Sequence, residues 1–130
     1  MSTRVILADD HEMIRASLRG LLEQEAGMEV VGEAEDGRRA VELVGEVSPD
    51  VVVMDVDMPV LNGVEATRQI RTRFSHVKVI ALSMHNDPRF VAGMLGAGAF
   101  GYLLKDSAFD ELVTAIRAAM ANASPGVETA

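Results

Sequence analysis

Val51, Val52, Val53 and Met54 form an apolar run without polar alternation, and the run ends on the carboxylate of Asp55. A strand with one face in water alternates polar and apolar side chains, so an unbroken run marks a strand covered on both faces. Such strands belong to parallel sheets sandwiched between helices. Asp55 then stands at the end of a buried strand, where solvation is poor. Asp57 and Pro59 follow within four positions and close the strand.

The rest of the chain repeats that unit. Residues 5–8 read as a short buried strand, and Ile14, Leu18, Leu21 and Leu22 then recur at helical spacing over residues 11–25. Gly27 is placed to close this helix. Residues 28–34 are strand-like, Asp36-Gly37 marks a turn, and Ala40, Val41, Val44 and Val47 give a second helical stripe that Ser48-Pro49 breaks. After the central strand, residues 59–63 form a loop and Val64, Thr67, Ile70 and Phe74 outline a third helix. Residues 77–82 read as a fourth strand. Asp87-Pro88 has the form of an N-cap followed by a first-turn proline, opening a helix that Gly93 weakens. Residues 99–104 complete the strands. Ser107 is placed to cap a last helix with Leu112, Val113, Ile116 and Met120 along one face. Met54, Met58, Met84 and Met94 read as core and loop filler.

Strands alternating with helices on short connections make an α/β fold: a (βα)5, doubly wound, five-stranded parallel sheet. Right-handed crossovers leave few topologies, and the flavodoxin-like order 2-1-3-4-5 is the common one at 130 residues. Residues 1–121 then form one domain, with residues 122–130 a tail or the start of a linker. There is no cysteine, which excludes disulfides and thiolate chemistry. A net charge of −8 disfavours nucleic-acid binding by this chain alone. No apolar run approaches the roughly 20 residues of a membrane span. No targeting segment is evident at the start, and a cytoplasmic location is expected.

In an open parallel sheet, ligands bind beyond the carboxyl ends of the strands. In the order above, those ends gather Asp9-Asp10, Asp55, Ser83 and Lys105 on one rim. Two like charges ~4 Å apart repel by about 4 kcal/mol at an effective dielectric of ~20, so three carboxylates call for a proton or a cation. Hard oxygen donors with open positions suit Mg²⁺, which takes phosphate as a partner. Lys105 adds a positive charge and Ser83 a hydroxyl, which together are parts for phosphoryl transfer.

These residues resemble the receiver domain of a bacterial two-component response regulator with the CheY-like fold. The resemblance covers residues 4–121. It is carried by Asp9-Asp10, by Asp55-Val56-Asp57-Met58-Pro59 with Asn62-Gly63, by Ser83-Met84-His85 and by Tyr102-Leu103-Leu104-Lys105-Asp106. The last two segments are most similar to the NarL/FixJ type, whose members usually carry a C-terminal helix-turn-helix. The resemblance implies that Asp55 is a phosphoacceptor served by a sensor histidine kinase. Mg²⁺ would be held by Asp10 and Asp55, by Asp9 largely through water, and by the backbone carbonyl of Asp57. Ser83 and Lys105 would bind the phosphoryl group, and Tyr102 would be the switch aromatic. The kinase would dock on the first helix, around Met13, Ile14, Arg15 and Leu18. A phosphorylation-promoted homodimer would use the fourth helix, fifth strand and fifth helix, including Met94, Leu95 and Tyr102. The domain would act on no separate metabolite. Asp106 stands where receivers often have proline.

Other readings compete. A phosphorylation-independent adaptor or dimerisation module would have no need for the acidic cluster. A phosphatase with an Asp-x-Asp motif would carry it after the first strand. Residues 96–101 match G-x-G-x-x-G but close a helix and precede a strand, so they read as turn glycines. His11, His76 and His85 share no ligand spacing and read as surface or helix-end residues.

Overall fold

The computed structural model describes residues 2–121. The expectation of a tail over residues 122–130 lies outside the described residues. Strands β1 (Thr3–Ala8), β2 (Met28–Ala34), β3 (Val51–Asp55), β4 (Lys78–Ser83) and β5 (Gly101–Leu104) alternate with helices α1 (Glu12–Glu23), α2 (Gly37–Val47), α3 (Gly63–Arg73), α4 (Pro88–Gly96) and α5 (Ala108–Ala121). The sheet has the order β2-β1-β3-β4-β5, and all four pairings are parallel.

All five residues of β3 are buried, as its composition requires. Successive strand side chains point to opposite faces, and they divide accordingly. Val52 and Met54 join Ala40, Val44, Ala66 and Ile70 of α2 and α3. Val51 and Val53 join Leu18, Leu22, Leu112 and Ile116 of α1 and α5. The sheet thus separates two cores, and the chain ends of β1, β3 and β4 reach the same edge still buried.

Caps and turns set the helix starts. Asp36, Asn62 and Asp87 each accept a hydrogen bond from the backbone N–H of Arg39, Glu65 and Arg89, satisfying donors that a helix start leaves open. Ser48 ends α2 in the left-handed region with φ 51°.

Several boundaries differ from expectation. Helix α1 ends at Glu23, with Gln24 as its C-cap, and Gly27 lies beyond it in the turn into β2. Strand β5 starts at Gly101, not at 99, because the chain is still turning out of α4 through Gly98 at φ +110°. Ser107 closes a 3-10 turn, Lys105–Ser107, and its hydroxyl lies 3.4 Å from Asp106 Oδ1 rather than capping α5. Met120 is 44% exposed, and Ala119 occupies the buried position. A run of Leu112, Ile116 and Ala119 follows the 3.6-residue period more closely than one ending at Met120.

The β3–α3 loop is packed too closely to admit side chains at two glycines. A Cβ at Gly63 would sit 2.1 Å from the Asp55 carbonyl oxygen, and one at Gly37 would sit 1.9 Å from that of Leu61. Both obstacles are backbone and cannot rotate away. Gly63→Ala and Gly37→Ala are each expected to lower unfolding free energy by about 1–3 kcal/mol or more, read as a shifted urea midpoint. Gly63→Ala should in addition displace Asp55, whereas Gly20→Ala, which meets no atom within 4 Å, should do neither. The same loop holds Val60 at φ 69°, with Leu61 N–H donating to the Pro59 carbonyl at 2.7 Å. This is a γ-turn in its strained, positive-φ form.

Candidate functional site

The acidic pair sits where β1 leaves the sheet. Asp9 is 2% exposed, and its backbone N–H still donates to Ala34 O of β2 at 3.0 Å. Its Oδ1 accepts from the His11 N–H at 2.8 Å, an Asx turn that redirects the chain into α1. Asp10 is exposed and lies on the rim. Arg15 of α1 braces this corner, donating to the Asp9 carbonyl at 2.5 Å and to Glu33 of β2 at 3.0 Å. Arg19 reaches the same Glu33 at 2.7 Å.

Asp55 ends β3 and is also 2% exposed. Its Oδ1 accepts a long hydrogen bond, 3.3 Å, from the Asp57 N–H. Lys105 enters from the far side of the sheet. Its Nζ is 2.9 Å from Asp9 Oδ2 and 3.3 Å from Asp55 Oδ2, and its side chain is 6% exposed. Lys105 meets these two oxygens at ion-pair distance but off the line of a hydrogen bond, so both remain buried without a hydrogen-bond partner. Burial by itself would lower the Lys105 pKa. The Asp9 and Asp55 carboxylates outweigh it and hold the ammonium above the usual lysine value. Asp55 moves the other way. Desolvation, then the Asp9 charge, push its carboxyl up to about 6 against the opposing pull of Lys105. One ammonium group does not balance the pocket.

Asp9, Asp10, His11 and Asp55 offer donor atoms that all lie within 4.8 Å of one another. The two orphaned carboxylate oxygens and the exposed Asp10 make this a set of hard donors short of positive charge. That chemistry fits a Mg²⁺ ion with open positions for water or a phosphoryl oxygen.

Ser83 is fully buried at the end of β4, in register with Leu104 and one residue beyond Leu82, the partner of Asp55. Its Oγ accepts from the His85 N–H at 2.9 Å. Tyr102 Oη donates to the His85 carbonyl at 2.7 Å, with its ring against the core beneath α4. One peptide segment of the β4–α4 loop is therefore held by both Ser83 and Tyr102. The His85 ring stacks on Phe90 at 4.3 Å, and its Nε2 meets Asp57 Oδ2 at 2.5 Å. A cavity of about 220 Å³ lined by Ser83, Leu104 and Lys105 opens beside this loop.

All the residues singled out in the sequence reach this edge. Asp9, Asp55 and Lys105 are in mutual contact, Asp10 is joined to them through His11, and Ser83 and Tyr102 are coupled through His85. Three further participants carry weaker signals. His11 is the N-cap residue of α1, as a helix-end role requires, yet its side chain makes no cap bond. Its Nδ1 instead lies 2.9 Å from Asp9 and 3.1 Å from Asp10. The Asp57–His85 bridge joins positions 28 apart, which no local spacing reveals. Arg15 enters the sequence reading only as part of the docking face of the first helix, and its brace on the Asp9 carbonyl depends on a side-chain direction that no spacing reveals. Met94 is fully buried, with the Thr67 hydroxyl 4.0 Å from its sulfur, as a core filler should be, and its place in the dimer face is corrected, since it cannot contribute to an exposed surface. Leu18 is likewise buried and unavailable for docking, whereas Met13 is 83% exposed.

Known proteins share this fold and much of its sequence. The chain is 45% identical over 114 residues to the transcriptional regulatory protein DegU of Brevibacillus brevis, covering 88% of this chain and 48% of that protein. It is 46% identical over 113 residues to the response regulator UvrY of Escherichia coli, covering 87% and 52%. It therefore spans about half the length of these curated relatives. Among solved structures, a LuxR-family two-component response regulator from an Aurantimonas species superposes with a TM-score of 0.88 at 40% identity, covering 93% of this chain and 86% of that one. The signal receiver domain of the NarL response regulator of Mycobacterium tuberculosis gives 0.88 at 35%, covering 93% and 98%. No helix among the described residues is long and apolar enough to cross a membrane. The model of the response regulator receiver domain matches residues 5–117, and with the acidic rim built as above, the chain belongs to that family of two-component signalling proteins.

Proposed function

We propose that Asp55 is the phosphoacceptor of a Mg²⁺-dependent switch served by a sensor histidine kinase. The observation that carries this reading is a carboxylate 2% exposed, raised in pKa and facing Lys105 at a sheet edge rich in further acids. An Asp55 oxygen attacks the phosphorus of a phosphohistidine. The P–N bond breaks, and the imidazole nitrogen keeps the bonding pair. The side chains of Asp10 and Asp55, the backbone carbonyl of Asp57 and, largely through water, Asp9 would hold a Mg²⁺, which would supply the positive charge that lets an anionic phosphoryl group approach an anionic carboxylate. Lys105 and Ser83 bind the transferred group.

The response runs through His85. Phosphorylation brings about −1.5 to −2 charge and three acceptors. Ser83 moves towards the phosphoryl group to donate its hydroxyl proton, and because its Oγ also accepts from the His85 N–H, that movement shifts the segment that Tyr102 also holds. Helix α4, next in the chain, is weakly anchored, with Met94 its one buried residue among those described. The face of α4, β5 and α5, including exposed Leu95, then controls homodimerisation or a DNA-binding output domain, matching relatives named as transcriptional regulators. The working location is the cytoplasm.

The test is mass. Incubation with Mg²⁺ and acetyl phosphate should add one phosphoryl group per chain, and chelation of Mg²⁺ should prevent it. No gain would favour the adaptor reading, and continued turnover of phosphate esters a hydrolase. Asp57 places a second acid beside the acceptor and locks to His85 across its mouth. Asp57→Asn removes a charge and weakens that bridge, so its autodephosphorylation rate should differ from wild type. Equal rates would exclude Asp57 from control of phosphoryl lifetime.

A further inference from the structure

We infer that Arg15 is a positioning residue for phosphoryl acceptance: gripped by Glu33, it fixes the peptide plane between Asp9 and Asp10 and so aims the Asp10 carboxylate. The inference rests on the reading of Asp55 as a Mg²⁺-dependent phosphoacceptor and adds to it a residue outside the acidic rim.

The ties on the Asp9–Asp10 corner are not equivalent. The Asp9 N–H donates to Ala34 O at 3.0 Å, and Asp9 Oδ1 accepts from the His11 N–H at 2.8 Å. Neither grips the peptide group that joins Asp9 to Asp10. The carbonyl oxygen of that group belongs to a buried residue, where an unpaired acceptor is costly. No backbone N–H among the described residues donates to it, and its donor is Arg15 Nη1 at 2.5 Å. That bond sets the rotation of the peptide plane, and the plane sets where the Asp10 Cα–Cβ bond points. Asp10 has little else to aim it: the one ion-pair contact of its carboxylate among the described residues is the exposed His11 ring, at 3.1 Å.

The geometry asks for arginine. Arg15 Nε donates to Glu33 Oε1 at 3.0 Å while Nη1 reaches the carbonyl, so one planar fork spans β2 and the corner. Glu33 is held in turn through its other oxygen by Arg19 Nε at 2.7 Å. The Arg15 side chain is 13% exposed against 37% for Arg19, so the first is turned inward and the second lies at the surface. A lysine carries its donors on a single nitrogen and cannot span both acceptors. Arg19 bonds to Glu33 and Glu23 but not to the corner, which makes it the control. An arginine that merely pinned α1 to β2 would affect stability and leave the acidic pair as it is.

Amide exchange without metal, calorimetric titration with MgCl₂ and phosphoryl uptake, all on the full chain, separate positioning from pinning. Arg15→Met keeps the apolar stem and removes the fork. Without metal it should speed exchange of the Asp10 and His11 amides at least about tenfold. It should weaken Mg²⁺ binding about tenfold, the scale on which groups behind a metal ligand act. Uptake from acetyl phosphate, a donor that needs no docking on α1, should then reach half its maximal rate at about tenfold more Mg²⁺, with the maximum within about twofold of wild type. Arg15→Lys can reach one acceptor at a time and should fall between the two, with a loss of about threefold. Arg19→Met breaks into the same network and should leave exchange at the corner and Mg²⁺ affinity within about twofold of wild type. Wild-type exchange and Mg²⁺ affinity in Arg15→Met, or equal losses in Arg15→Met and Arg19→Met, would overturn the positioning role while the acceptor site stands. If Arg15→Met does not fold, Arg15→Lys carries the test, and wild-type values there overturn the role. A wild type that binds no Mg²⁺ would overturn the acceptor reading and the inference with it.

Discussion

Asp55→Asn is expected to gain no mass from acetyl phosphate and Mg²⁺, while remaining folded and becoming more stable without metal at neutral pH. An amide of the same shape can still accept the hydrogen bond from the Asp57 N–H, so the loop keeps its anchor. It cannot act as an anionic nucleophile, and it removes one carboxylate from a site where burial and Asp9 already push the acceptor up to about 6. The combination discriminates. A variant that lost uptake by unfolding would also lose stability, whereas removal of the nucleophile should abolish uptake and raise the urea midpoint together. Asp57→Asn is the matched control, since it neutralises the other acid of the motif but should still gain one phosphoryl group. Uptake by Asp55→Asn, or none by Asp57→Asn, would move the acceptor away from Asp55.

The fold could be read because its evidence is local and periodic. The unbroken β3 run, four helical stripes and the Asp87 cap each follow from spacing over a few residues, and the structure realises them, whereas Asp36 and Asn62 read only as turn and loop residues and cap their helices in the structure. Topology then placed Asp9, Asp10, Asp55, Ser83 and Lys105 on one edge, because every parallel strand ends there. Pairings decided by side-chain direction at long range could not be read. Nothing local says that His85 turns over Phe90 to meet Asp57, or that Arg15 reaches back to the Asp9 carbonyl. The assignment of Met94 to an exposed dimer face as well as to the core, and of Met120 to the buried face of α5, has a related cause. Methionine suits a core and a surface equally in sequence, and only the packing of α4 on Thr67 and the preference of α5 for Ala119 decided between them.

Lys105→Met is the complementary experiment, and its effect should run opposite to that of Asp55→Asn. The ammonium lies between Asp9 and Asp55 with 6% of its side chain exposed. Methionine retains much of the packing and deletes the charge. Breaking a buried ion pair from one side costs about 3–5 kcal/mol, because the remaining charges stay uncompensated. The pH dependence identifies the cause. Asp55 has a folded pKa of about 6 against an ordinary 3.8, so the native state holds a proton that the unfolded chain has released. The stability linked to that proton is fully present below about pH 4 and is lost as pH rises through about 6. Its share is at most about 3 kcal/mol, from about 1.4 kcal/mol per pKa unit. Lys105 has a raised pKa and contributes stability that is full below the ordinary lysine value, so it stays constant across this window. In Lys105→Met the pull that lowers the Asp55 pKa is gone, so the loss of stability should begin near the same pH as in wild type but continue to higher pH. In Asp55→Asn the dependence should flatten. Urea unfolding of the metal-free proteins at pH 4.5, 6 and 7.5, read as differences between variants, checks this. The gap between Lys105→Met and wild type should be widest at pH 7.5 and shrink in acid, as protonated Asp55 ceases to need a cation. Parallel curves for all three proteins would mean that Lys105 and Asp55 are not electrostatically coupled, and the balance of charge that readies the pocket for a metal and a phosphoryl group would have to lie in other residues.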